Sequence, residues 1–200
     1  MSDKLKIQLI SLSLLGVAGL LFIPFLAFHE KRANELAWEI ADPIAELLPA
    51  SDVSLPIFSI TYGAILLYLI SAFRKEYFIP RLMLSYAIIL LLRMLTLTIL
   101  PLKAPDSYVY LQDPFLNNLI YPGHIRNDLF FSGHTALVFA IFLLSGRKWI
   151  FLLLTIFTGI LVMVQRVHYS FDVLAAIPFA WLSTYLAGRI ITAIDKTNNT

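Results

Sequence analysis

Two short stretches of this chain gather side chains suited to phosphoryl chemistry. In "VHYSFDV", His168 is followed at i+4 by Asp172. On a helix the two would share one face and lie within reach. A carboxylate so placed holds an imidazole in one tautomer, stabilises its cation and leaves the other ring nitrogen free to attack. The same pair can also do no more than close a helix end, and spacing alone does not choose between the two. In "NDLFFSGHT", Ser132-Gly133-His134 opens an apolar run. Serine caps helices, glycine lets backbone approach an anion, and the N–H groups of a helix N-terminus receive phosphate. His134 then falls in the first turn, where a histidine can give a departing alkoxide its proton. The competing arrangement makes Ser132 a nucleophile paired with one of the histidines. The chain has no Gly-x-Ser-x-Gly step, and the Ser132 hydroxyl suits a cap better.

The elements that must carry these groups are set by composition. Hydrophobic residues make up 59% of the 200 residues and the mean hydropathy is +0.80, well above the roughly 45–50% apolar share of soluble domains. The expectation is an all-α integral membrane protein: a single six-helix bundle over residues 1–200, with no room for a second domain. Its spans are the apolar runs Ile7–Phe28, Leu55–Phe73, Ile79–Leu100, Thr135–Ser145, Trp149–Val167 and Val173–Ile191, the fourth extended back through Phe130-Phe131 to gain length. Continuous apolar runs in lipid must satisfy their own backbone groups, which favours helices over strands. The first run follows Lys4 and Lys6 but is longer than a signal core of roughly 7–15 residues and has no Ala-x-Ala step after it, so it reads as a retained span. With no cysteine there is neither a disulfide nor a thiolate metal site, and no basic run suggests nucleic acid.

Loop charge orients the bundle. With the N-terminus inside, the inner segments hold Lys4, Lys6, Arg74, Lys75, Arg81, Arg147, Lys148, Arg189 and Lys196, against Lys31, Arg32, Lys103, Arg126 and Arg166 outside: nine to five. The positive-inside bias then puts both termini in the cytoplasm and the two motifs on the extracytoplasmic face. Residues 30–48 are expected to form an amphipathic helix on the outer surface, with Leu36, Ile40, Ile44, Leu47 and Leu48 on one face. Glu35, Glu39, Asp42 and Glu46 form an adjoining stripe that reads as a solvated face. Pro43 kinks or restarts that helix. The outer loop 101–131, rich in proline and aromatic residues such as Tyr108, Tyr110, Phe115, Leu116 and Tyr121, reads as an ordered lid or substrate surface. His29 and His124 read as polar caps at the interface.

"SGHT", followed about thirty residues later by "HYSFDVLAA", resembles the type 2 phosphatidic acid phosphatase superfamily, and its sphingomyelin synthase branch most closely. The similarity runs from Arg93 to the end of the last span, with "RMLTLTILPLKAP" resembling the region before the motifs in that branch. The resemblance implies a six-helix bundle with both termini cytosolic and an outward-facing site. It also implies a metal-independent reaction through a phosphohistidine, with no cofactor: His168 as nucleophile, Asp172 as its orienting acid, His134 as the proton donor. Ser132, Gly133, Arg93, Arg166 and Asp128 are the expected substrate-binding residues. The chain departs from the phosphatase pattern at the phosphate clamp. Arg93 lacks the accompanying lysine, Phe131 stands where a proline is usual, and Val162 stands where an arginine precedes the nucleophile, with Arg166 only two residues before it. A phosphate monoester carries nearly two charges and a diester one, so a depleted clamp suits a diester. The expected function is therefore headgroup transfer between a phospholipid and a lipid alcohol. A lipid phosphate phosphatase acting on phosphatidic acid-like or isoprenoid phosphates, and a non-enzymatic lipid-binding bundle, are the alternatives.

Overall fold

The computed structural model describes residues 3–36, 38, 40–73, 75–114, 125–146 and 148–197. Among these the regular structure is helical: α1 (Asp3–Leu36), α2 (Pro43–Glu46), α3 (Ser54–Ala72), α4 (Phe78–Ile99), α5 (Gly133–Leu144), α6 (Trp149–Val164) and α7 (Ser170–Thr197). Each of the six apolar runs became one helix, because a run without charge or a breaker can satisfy its backbone only within itself when it faces apolar surroundings.

Four helices, α1, α3, α4 and α7, are long and apolar enough to cross a membrane. The expected six are not all reached by length: α6 has 16 residues and α5 only 12, about 24 and 18 Å. The backward extension of α5 through Phe130-Phe131 does not occur. Ser132 caps the helix, and the carbonyls of Phe130 and Phe131 are taken by the Thr96 hydroxyl and the Arg93 guanidinium instead.

The expected surface helix over 30–48 is also absent. The polar stretch from His29 to Leu36 continues α1, whose 34 residues give about 51 Å. Trp38 then forms an isolated bridge with Leu102, and Asp42 caps the four-residue α2. The reason lies in Asp42, which is buried, not solvated. Its carboxylate accepts from the Ile44 and Ala45 N–H groups, both at 3.1 Å, and from the backbone N–H and hydroxyl of Ser170.

α4 lies at the centre, packed on α1, α5 and α7; α5 also packs on α3, α6 and α7. Small residues allow the close approach. Ala136 and Ala140 of α5 meet Ala176 and Ala180 of α7 beside Ile89 and Phe131. Ala18, Phe22 and Leu26 of α1 meet Ala87, Leu90 and Leu97 of α4. At one end of the bundle Ile7, Leu84, Ala187 and Ile191 bring the two chain termini together. The opposite end collects the C-termini of α1, α4 and α6, the N-termini of α3, α5 and α7, and the connecting loops. The outward faces are strongly apolar: Leu20, Ile99, Leu174 and Trp149 are each more than two-thirds exposed.

Candidate active site

His168 does not share a helix with Asp172. It lies in the turn between α6 and α7, and Asp172 stands in the first turn of α7. The two nevertheless meet: Asp172 Oδ2 accepts the Tyr169 N–H at 3.0 Å and sits 3.5 Å from His168 Nδ1, a few tenths of an ångström beyond hydrogen-bond length. Asp172 is fully buried and its Oδ1 has no protein partner. The carboxylate therefore faces Nδ1, which leaves Nε2 as the ring nitrogen on the other side.

That other side is a cavity of about 440 Å³ lined by His168, His134, Gly133, Arg93 and Asp128. Five of the eight expected site residues thus line one space, and a sixth, Asp172, lies directly behind His168. His134 enters from the first turn of α5, its ring edge against Phe58 at a centroid distance of 5.3 Å. The starts of α5 and α7 are tied by the Ser132 N–H donating to the Asp172 carbonyl at 3.1 Å, so the two histidines keep a fixed separation. Near the mouth the lining also carries Asp113, Arg126, Tyr108 and Tyr110; an apolar part runs away from the histidines between α1, α3 and α4, past Phe22, Phe58 and Leu90 to Leu15, Leu82 and Met83. From Arg93 to Leu82 the slot follows α4 for about 16 Å.

Two expected site residues face elsewhere. Ser132 is fully buried, its hydroxyl shared with Thr135 Oγ1 at 3.0 Å; it is a helix cap and does not line the cavity. Arg166 donates through Nη2 to the Leu48 carbonyl at 2.7 Å, outside the cavity lining, and adopts a positive φ of 59°.

Arg93 is the buried cation of the cavity. Its guanidinium pairs with the Asp128 carboxylate and donates to the Phe131 carbonyl. A side chain at position 133 would crowd it: a Cβ built there meets Arg93 Nη1 at 3.2 Å and Cζ at 3.3 Å, so the guanidinium would have to give by a few tenths of an ångström. The glycine of Ser-Gly-His thus lets the arginine lie against the helix N-terminus without that shift. Arg126, also on the lining, is exposed and stacks over Tyr108 at 5.1 Å.

Three residues that position the site carry no motif. Asn127 receives Glu30 on its N–H and amide at 2.9 and 3.0 Å, and its own Oδ1 accepts the Ala104 N–H at 2.9 Å. His29, expected as an interfacial cap, is buried and bonded to the Asn127 carbonyl at 3.1 Å. Gln165 donates to the Tyr110 carbonyl at 2.9 Å and to Ser54 Oγ at 3.1 Å, and also reaches Asp52. Asp52 is held below the usual carboxylate range by the Ser54 hydroxyl and N–H, with Gln165 adding to them. Tyr108, whose hydroxyl donates to the Ile125 carbonyl at 3.0 Å, has its pKa pushed up to about 12 by burial. Of the expected lid, Tyr108 and Tyr110 line the cavity; Phe115, Leu116, Tyr121 and His124 lie outside the described residues.

No family model, curated protein or solved structure matches this chain.

Proposed function

We propose that the chain is a six-span membrane lipid phosphotransferase that moves a phospholipid headgroup to a lipid alcohol, with both termini cytoplasmic and the cavity facing the extracytoplasmic side. The observation that carries this reading is the pair of histidines on one cavity wall, one of them backed by a buried carboxylate. His168 Nε2 attacks the phosphorus of a donor phosphodiester. The bond from phosphorus to the glycerol oxygen breaks, and His134 gives that oxygen its proton. The Asp172 carboxylate stabilises the charge that His168 acquires. The incoming lipid hydroxyl then passes its proton to His134 and attacks the same phosphorus; the bond to nitrogen breaks, and both histidines return to their starting states. No water is consumed.

One feature suits a lipid substrate and two favour a diester over a phosphate monoester. The apolar slot from Phe58 to Met83 suits an acyl chain. Arg93 is already partly neutralised by Asp128, and Arg166 points away to Leu48. Arg126 is the other cation among the described lining residues, beside the carboxylates of Asp128 and Asp113, a balance that suits a monoanion better than a dianion. At the start of α5 the Thr135 N–H is capped by the Ser132 hydroxyl; the N–H groups of Gly133 and His134, both lining residues, have no acceptor within the helix and suit a phosphate.

The test supplies purified protein with a headgroup-labelled glycerophospholipid and either diacylglycerol or ceramide. A new lipid carrying the label is the expected product. Rapid phosphate release from phosphatidic acid with no headgroup transfer would make the protein a phosphatase. Retention of lipid without turnover of either kind would leave a lipid-binding bundle.

A further inference from the structure

A second basic recess lies far from the histidines, at the end of the bundle that holds the chain termini. It is a crevice of about 590 Å³ lined by Arg81, Thr184, Tyr185, Gly188, Arg189 and Thr192. Arg81 stands in the first turn of α4 and Arg189 near the end of α7. Two arginines from different helices line one space. Among the described residues neither forms a hydrogen bond or ion pair with protein through its side chain, and no carboxylate is on the lining. Like charges brought together without a counter-charge repel, and an anion between them removes that cost. The acidic residue closest in sequence to Arg189, Asp195, is engaged by the Tyr77 hydroxyl at 2.9 Å.

The chemistry of the crevice narrows the anion. Thr184 and Thr192 spend their hydroxyl protons on the carbonyls of Trp181 and Gly188, both at 2.9 Å, so the arginines are the charged donors, with the Tyr185 hydroxyl also on the lining. Paired guanidinium groups match the oxygens of a phosphate. Gly188 contributes no side chain, and a Cβ there would meet nothing within 4 Å, so the floor is open. Toward the middle of the bundle, Trp181 stacks on Tyr185 at 5.7 Å, and both are at least half exposed. An apolar aromatic wall beneath a dibasic head is the layout of a lipid site, not of a site for a free ion. The depth agrees: from Ser170 to Arg189 the helix rises about 28 Å, which brings Arg189 level with the far edge of a hydrocarbon core of about 30 Å.

We infer that the crevice between the start of α4 and the last third of α7 binds the phosphate of an anionic phospholipid. The site is independent of the chemistry at His168. In the proposed orientation it opens to the cytoplasmic leaflet, where anionic lipids attract basic residues near the surface.

Native mass spectrometry of the detergent-purified protein tests this with phosphatidylglycerol, phosphatidylcholine and inorganic phosphate as probes. The parent should retain phosphatidylglycerol in preference to phosphatidylcholine, and millimolar inorganic phosphate should not displace it. The R81Q/R189Q double variant should bind phosphatidylglycerol about thirtyfold more weakly, the equivalent of about one surface interaction lost per arginine. Gly188→Leu, which fills the floor with a better helix former, should lose the same lipid while keeping both charges. Undiminished phosphatidylglycerol binding in both variants, or equal retention of phosphatidylcholine by the parent, would overturn the site. Displacement of the lipid by millimolar inorganic phosphate would overturn the lipid as its ligand and make free phosphate the occupant.

Discussion

At the scale of single residues, Asp128 sets how much of the Arg93 charge would be left for a phosphate in the proposed reaction. Its carboxylate occupies the Arg93 guanidinium, and Gly133 lets that guanidinium lie against the start of α5. Replacing Asp128 by asparagine keeps the shape and removes the competing charge. Asp128→Asn should therefore speed phosphate release from phosphatidic acid by about tenfold, the effect of about 1.4 kcal/mol of added charge stabilisation in the transition state. An unchanged rate would mean that Arg93 does not serve the phosphate. The places of His134 and His168 on one cavity were legible in the sequence because both motifs are local. The cap at Ser132 was legible too; its absence from the cavity lining and that of Arg166 were not. Ser132 turned inward because its hydroxyl pairs with Thr135, and Arg166 turned away because the Leu48 carbonyl, 118 residues earlier in the chain, takes its guanidinium.

At the scale of elements, the six apolar runs announced the long helices to within a few residues at most ends, since an uninterrupted apolar run leaves the backbone no other partner. The segment 30–48 shows where that reading stops. Its spacing suits an amphipathic helix, yet the stripe residue Asp42 caps two helices at once, α2 directly and the start of α7 through Ser170. No periodicity could reveal a partner 128 residues away. Burial works against ionisation of Asp42, but the donors on Ser170, Ala45 and Ile44 outweigh it and hold its pKa below the ordinary value. A depressed carboxylate pKa contributes stability that is present above the unfolded value of about 3.9 and is lost as pH falls through the lower folded value. Asp42→Ala should cost about 1–2 kcal/mol at neutral pH through the lost cap. Thermal unfolding in detergent would register this as a lower midpoint, and the gap between parent and variant should close below about pH 4. A gap that persists at acid pH would show that Asp42 acts by packing and not by charge.

At the scale of the whole molecule, up-and-down connection of the long helices places both termini at one end and the two histidines at the other, with the slot running between. The loops at the cavity end are held by long-range contacts such as Asn127 to Glu30 and Gln165 to Ser54. These fix the slot between α1, α3 and α4 and were invisible in the sequence, because asparagine and glutamine carry no periodic signal. Basic residues cluster at the terminal end, so a reporter fused after Lys148 should read cytoplasmic and one near Asp113 extracytoplasmic. The reverse pattern would put the histidines on the wrong side for the proposed orientation. The account rests above all on His168 as the atom that takes up phosphorus. Purified protein given a phosphate-labelled substrate with a good leaving group, and quenched in base, measures this directly. The parent and the His134→Ala variant should both carry label, since an easily departing group needs no proton, and His168→Ala should carry none. Equal labelling of His168→Ala, in a protein that still elutes as a single folded peak, would contradict the account.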